Sequence, residues 1–302
     1  MCRWVAYAGE ALHPSTLVID TPHSLVAQSL HSPLGKETVN GDGFGLGWYP
    51  AGQVPGSAPA LFRSIEPAWF DENLREITRA VEAPLFFAHV RAASGPPIQQ
   101  TNCHPFRHEN WLFMHNGALH GFAQLRRELL LLIDPALFPE VRGTTDSEVL
   151  FYLALTLGLR DDPIRAMSLT LREVERLGEE LSIPHPVQGT FAATDGTTIW
   201  AFRYSTAHAS RTLFYSEDLG TLQQTYPDLD RLRVFTRGAR VIVSEPLSDL
   251  PGAFIEVPES TAVVVDRTGC RLEPYLLSFL RPRPSFGGRR AYGGGERPGG
   301  TR

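Results

Sequence analysis

The apolar stretches of this chain are short and grouped, and that grouping limits its fold more than any other property. Residues 3–8 alternate weakly in polarity, and 44–49, 85–90 and 111–115 are further runs of strand length. The segments 24–30, 69–81 and 122–132 have helical spacing, the last ending near Asp134-Pro135. Thr145, followed three residues later by Glu148, forms a capping box ahead of the apolar run 149–157. Ile164, Met167, Leu171, Val174, Leu177 and Leu181 recur at intervals that predict an amphipathic helix over 162–181. Beyond it, 191–195, 199–204, 213–216, 240–243 and 261–266 are short strand candidates, and Asp195-Gly196 marks a hairpin. The regular strand–helix alternation of a doubly wound sheet is missing. Strands and helices collected in blocks predict instead an α+β fold with stacked sheets and helical layers.

Charge and cysteine content narrow the setting. A chain of 302 residues, 42% hydrophobic, buries a core without a disulfide framework. Its three cysteines, Cys2, Cys103 and Cys270, are odd in number and widely spaced, so they form neither a staple set nor a zinc pair. No apolar run approaches the ~20 residues of a membrane span, and polar, glycine-containing sequence follows Met1 too soon for a secretory signal. A cytoplasmic protein is expected. Lys36 is the only lysine, and residues 281–302 hold six arginines against the single acid Glu296. That stretch cannot bury enough apolar area to fold and is expected to be a disordered tail after one domain spanning 2–280. Subtracting its net +5 from the chain's −5 leaves −10 on the remainder, which argues against a nucleic-acid surface there.

Cys2 is the first residue with chemical content. Its small side chain permits removal of Met1, leaving a free α-amine beside the thiol. An α-amine titrates near ~7.7, so it can take the thiol proton at physiological pH without a histidine. The plainer reading is a packing thiol. Asn116-Gly117 offers a side-chain amide and a backbone N–H as two donors for an oxyanion; it is also a common hairpin dipeptide, and a strand-end turn would satisfy both readings. Arg91, just past an apolar strand, can grip a carboxylate with two parallel hydrogen bonds, or serve a structural ion pair. Asp146 sits in a first helical turn, where the helix dipole alone favours a carboxylate.

Taken in order, Cys2, the run Asn40-Gly41-Asp42-Gly43-Phe44-Gly45-Leu46-Gly47-Trp48-Tyr49, His89-Val90-Arg91-Ala92-Ala93-Ser94, Thr101-Asn102-Cys103-His104-Pro105-Phe106, His115-Asn116-Gly117 and Thr145-Asp146-Ser147-Glu148 carry a resemblance. Over at least residues 2–157 the chain resembles the class II glutamine amidotransferases, whose members are N-terminal nucleophile hydrolases. The likeness is to their small stand-alone branch, which includes bacterial proteins and the amidotransferase-like subunit of fungal glutathione degradation. The resemblance implies a four-layer αββα fold, two antiparallel sheets between helices. It implies Cys2 as nucleophile and its α-amine as base, Asn116 and Gly117 as the oxyanion hole, Arg91 on the substrate α-carboxylate and Asp146 on the α-ammonium. Ser94 stands where many members have a threonine near the substrate. No propeptide is expected, since only Met1 precedes Cys2.

The implied reaction cleaves the γ-amide of glutamine or a γ-glutamyl compound through a Cys2 thioester, giving glutamate and ammonia or an amine. It needs no metal or organic cofactor. The implied partners are the small-molecule substrate and a separate synthase or peptidase subunit, without nucleic acid or membrane. The alternatives are a γ-glutamyl peptide hydrolase acting on a glutathione-like or ergothioneine-intermediate substrate, and a catalytically silent regulatory subunit. The mark of the last would be loss of Cys2, Asn116 or Arg91, and all three are present. His89, His104 and His115 fall on separate segments without a metal-binding pattern and are expected to be buried and hydrogen-bonded. Cys103 and Cys270 are expected to be packing thiols. The glycines of 41–47 lack the lysine and serine of a phosphate loop and are expected to admit close backbone approach.

Overall fold

A computed structural model describes residues 2–31, 39–93, 95–216 and 218–275. Met1, Ser94 and the 281–302 tail lie outside the described residues. Strand β1 (Arg3–Leu12) leads through α1 (Ser15–Val18) and α2 (Leu25–Leu30) to β2 (Phe44–Tyr49) and β3 (Ala60–Ser64). Helix α3 (Glu72–Ala80) precedes β4 (Ala83–Val90), β5 (Phe106–His108) and β6 (Trp111–Leu119). Three helices follow: α4 (Phe122–Leu132), α5 (Asp146–Thr156) and α6 (Pro163–Glu180). The second half contains β7 (Val187–Thr194), β8 (Ile199–Ser205), β9 (Phe214–Ser216) and α7 (Leu219–Thr225), then β10 (Arg240–Val243), β11 (Phe254–Glu256), β12 (Thr261–Asp266) and β13 (Gly269–Pro274).

One sheet has the order β11-β9-β10-β1-β4-β2-β3 and the other β13-β12-β8-β7-β6-β5. The strand pairings in both are antiparallel. The period-two alternation of a strand divides each sheet into two apolar faces. From β1, Trp4 and Ala6 enter the layer between the sheets, with Leu85 and Phe87 of β4 and Leu112 and Met114 of β6. Val5 and Tyr7 face the opposite way, against α1, α2 and α7, together with Phe86, Ala88 and Val90. On the far side of the second sheet, Phe113 and Phe191 pack under α4, α5 and α6. These three apolar layers make the four-layer αββα fold.

Helix starts follow their caps. Ser24, Asp71, Thr145 and Asp162 each accept a backbone N–H at the first turn of α2, α3, α5 and α6. The box at α5 is opened out. Glu148 does not return to its own N-cap but takes the N–H groups of Arg142 and Gly143 upstream. Residues 147–155 of α5 are buried on every face, which is what an unbroken apolar run requires of a helix. The close approach expected of the glycine run is present at Gly45, where a Cβ would stand 2.2 Å from the His104 carbonyl oxygen.

Candidate active site

Strand parity gathers the polar residues at one end of the layer between the sheets. Cys2 continues the face of Trp4 and Ala6, Arg91 that of Leu85 and Phe87, and Asn116 that of Leu112 and Met114. The β1–β4 ladder pairs Arg3 with Val90, so Cys2 comes opposite Arg91 just beyond it. The Cys2 thiol lies 3.7 Å from the Ala92 carbonyl oxygen. Trp4 crosses the layer: its Nε1 donates to Thr190 Oγ1 at 3.2 Å, and Thr190 is the β7 partner of Asn116. The nucleophile candidate and the donor candidate are thereby held at the same end of the sandwich.

Asn116 and Gly117 do not form a turn. They lie inside β6, opposite Thr190 and Gly189, because the strand runs on to Leu119. A side chain at 117 is impossible without movement, since a Cβ would stand 2.1 Å from the Gln188 carbonyl oxygen. Successive backbone N–H groups of a strand point to opposite sides, so the Gly117 N–H shares a side with that of Leu119, which donates to Asp146 Oδ2 at 2.8 Å. The neighbouring β5 ends at the Phe106–Phe113 pair, leaving that side of β6 without a strand at 117. The edge can therefore present a backbone donor beside the Asn116 amide.

Arg91 is 4% exposed, and its partners are carbonyl oxygens. Nη1 reaches Asp42 O at 3.4 Å, and Nη2 reaches Pro96 O at 3.2 Å and Pro97 O at 3.4 Å. Among the described residues no carboxylate pairs with it, so the structural ion pair is not formed. The nearby Asp42 carboxylate is occupied with the Ala93 N–H at 2.7 Å. Asp146 is likewise without a cationic partner among the described residues. Its Oδ1 accepts from the Ser147 N–H and hydroxyl at 2.8 and 3.1 Å. Behind it, His115 Nδ1 meets Ser147 Oγ at 2.9 Å.

Burial pushes the Cys2 thiol up, against smaller opposing pulls from a backbone hydrogen bond at Ala92 and the guanidinium groups of Arg91 and Arg3. At neutral pH the sulfur therefore holds its proton until a base removes it. The three histidines are buried, as expected. His89 Nε2 and His104 Nδ1 are 2.8 Å apart, and burial pushes His89 down to about 3 and His104 and His115 down as well. Among the described residues no group of three or more His, Cys, Asp or Glu is placed to hold a metal ion. Ser94 lies outside the described residues. Sequence reasoning missed Asp42 and Ser147 as supports, although both sit inside the motif runs, because neither needs to touch a substrate.

A two-sheet sandwich between helical layers, with a thiol at the head of the first central strand, defines an N-terminal nucleophile hydrolase fold. The family model for class-II glutamine amidotransferases matches residues 17–269, and the chain belongs to that family of enzymes. It is 29% identical over 312 residues to the probable glutamine amidotransferase DUG3 of Saccharomyces cerevisiae, covering 95% of this chain and 87% of that one. It is 27% identical over 254 residues to a gamma-glutamyl-hercynylcysteine sulfoxide hydrolase of Mycolicibacterium smegmatis, covering 81% of this chain and 99% of the relative. A glutamine aminotransferase class-II domain protein of Silicibacter pomeroyi superposes with a TM-score of 0.66 at 28% identity, over 91% of this chain and all of that one. The glutamine phosphoribosylpyrophosphate amidotransferase of B. subtilis shares the fold, with a TM-score of 0.58 at 18% identity, over 91% of this chain and 49% of its own.

Proposed function

We propose that this protein hydrolyses the γ-amide of glutamine or a γ-glutamyl compound through a thioester on Cys2, within one catalytic domain spanning 2–280. The observation that carries the reading is Arg91, a buried guanidinium that no carboxylate meets among the described residues, opposite Cys2. A buried cation costs several kcal/mol unless an anion meets it, and a substrate α-carboxylate is that anion. Asp146 would take the α-ammonium. Once Met1 is lost, the Cys2 α-amine takes the thiol proton and the sulfur attacks the γ-carbonyl carbon. The oxyanion rests on the Asn116 amide and the Gly117 N–H. The C–N bond then breaks as the leaving nitrogen takes the proton back from the ammonium. Water, deprotonated by the same amine, attacks the thioester and releases glutamate.

The leaving nitrogen is either ammonia or the amine of a γ-glutamyl compound. A hydrolase naming a γ-glutamyl substrate, matched over 99% of its length, supports the second form. A separate synthase or peptidase subunit would receive ammonia or the freed peptide. The test is intact mass of the purified protein followed by incubation with glutamine and a panel of γ-glutamyl peptides. Loss of Met1 and glutamate release from one of these, abolished in Cys2→Ala, is expected. A retained Met1, or full release by Cys2→Ala, would sink the reading. No release by intact, Met1-free protein would leave the silent-subunit reading in its place.

A further inference from the structure

The two charges that would hold an amino-acid head group belong to separate loops, and one buried side chain ties those loops together. Asn102 is fully buried. Its Nδ2 donates to the Pro97 carbonyl at 2.9 Å and to Thr144 Oγ1 at 3.0 Å. Its Oδ1 accepts the Thr144 N–H at 2.8 Å. The amide can point only this way, because a carbonyl only accepts and a backbone N–H only donates. Pro97 O is also one of the oxygens that receive Arg91 Nη2, and Thr144 stands two residues before Asp146. A single side-chain amide thus spans from the support of Arg91 to the helix start carrying Asp146.

The joint is closely fitted. A Cβ at Gly143 would stand 2.6 Å from Asn102 Oδ1 and 2.8 Å from Glu148 Oε2. Glu148 holds the Arg142 and Gly143 N–H groups from the other side, so the segment before Asp146 is pinned between two side chains. Gln99 Nε2 adds a hydrogen bond to Asn102 Oδ1 at 3.3 Å, keeping the amide in place from its own loop.

We propose that Asn102 is a positioning residue that sets the separation of the Arg91 guanidinium and the Asp146 carboxylate, and thereby selects substrates carrying a free α-amino-acid head group. The proposal rests on the roles given to Arg91 and Asp146 above. Its logic is that two-point recognition works only when both points are fixed relative to each other. Aspartate at 102 keeps an acceptor for the Thr144 N–H but turns an oxygen toward the Pro97 carbonyl, which breaks the tie and leaves the nucleophile untouched.

The test compares two alkylating probes of Cys2: a chloromethyl ketone analogue of glutamine that carries the α-amino-acid group, and iodoacetamide, which lacks it. Asn102→Asp should slow labelling by the analogue at least tenfold and leave labelling by iodoacetamide within twofold. Equal slowing with both, or slowing with neither, overturns the proposal. Asn102→Ser should act in the same direction, and a circular-dichroism melt checks that each variant is folded. In the wild-type protein, which needs no variant to fold, the analogue adduct should slow amide exchange in both 96–102 and 142–146, and the iodoacetamide adduct in neither. Protection confined to one segment also overturns it. Absence of analogue labelling at Cys2 in the wild type defeats the functional reading itself, and this proposal with it.

Discussion

Two buried arginines flank Cys2, and the fold treats them in opposite ways. Arg3 follows Cys2 in β1, ion-pairs with the equally buried Glu245, and donates from Nη1 to the Cys2 carbonyl at 2.7 Å. Arg91, on the facing strand end, is as deeply buried but, among the described residues, is met only by carbonyl oxygens. At the first arginine the protein neutralises its own charge. At the second it supplies dipoles, which stabilise a cation without competing for the place of an anion. The contrast separates an internally paired guanidinium from one left for the proposed substrate carboxylate more clearly than burial does, since burial is the same for both.

Three measurements break or sharpen that contrast. The largest effect is expected from Arg3→Met, which takes the guanidinium away from the buried Glu245 carboxylate; loss of one partner of a buried pair costs about 3–5 kcal/mol. Urea unfolding reads it directly, and a loss below ~1 kcal/mol would erase the distinction. Arg91→Met removes a charge that no carboxylate meets among the described residues. Stability should hold or rise, while kcat/KM falls about 100-fold, carried by KM, as roughly 2.7 kcal/mol of charge-assisted binding disappears. Steady-state kinetics on the active γ-glutamyl substrate would show it, and Arg91→Lys should not restore a planar two-point grip.

The smallest effect concerns the buried histidines, read through His89. An unfolded histidine titrates near ~6.5, whereas burial holds His89 at about 3 and lowers His104 and His115. Between those limits the unfolded chain binds protons that the native fold refuses. The stability contribution of His89 is therefore full above ~6.5 and declines as pH falls toward 3, by on the order of 1.4 kcal/mol per pH unit, and His104 and His115 act in the same direction. Urea midpoints measured from pH 7 to 5 should move downward steadily. Midpoints that stay level would mean that these imidazoles are protonated or solvated in the native protein.

Much of the layering was legible in the sequence, because alternation and caps are local properties. The runs 44–49, 240–243 and 261–266 are strands at the bounds expected, and 122–132 is a helix at its expected bounds. Strands Ala60–Ser64 and Gly269–Pro274 were not legible, since their exposed or half-exposed residues leave no clean apolar alternation. Helix Leu219–Thr225 carries a glycine and two threonines and is organised by its Asp218 cap and its packing. The site residues were legible as residue types in order, but not in how they work. The Asn116-Gly117 pair has the composition of a turn, and only the register against Thr190 and Gly189 keeps it in a strand. Whether Arg91 meets a carboxylate is decided by segments far away in the chain. Asn102 acts through backbone carbonyl and amide groups, which leave no trace in side-chain spacing.

The all-round burial of the helix that begins at Asp146 also bears on how such a chain can diverge. An element touched on every side moves only if its neighbours are rebuilt together. Substitutions that accumulate one at a time will therefore leave Asp146 where it is. Among residues 95–100, the exposed Ile98 can be exchanged singly. Under the proposed reading, divergence in this lineage should keep the amino-acid end of the substrate.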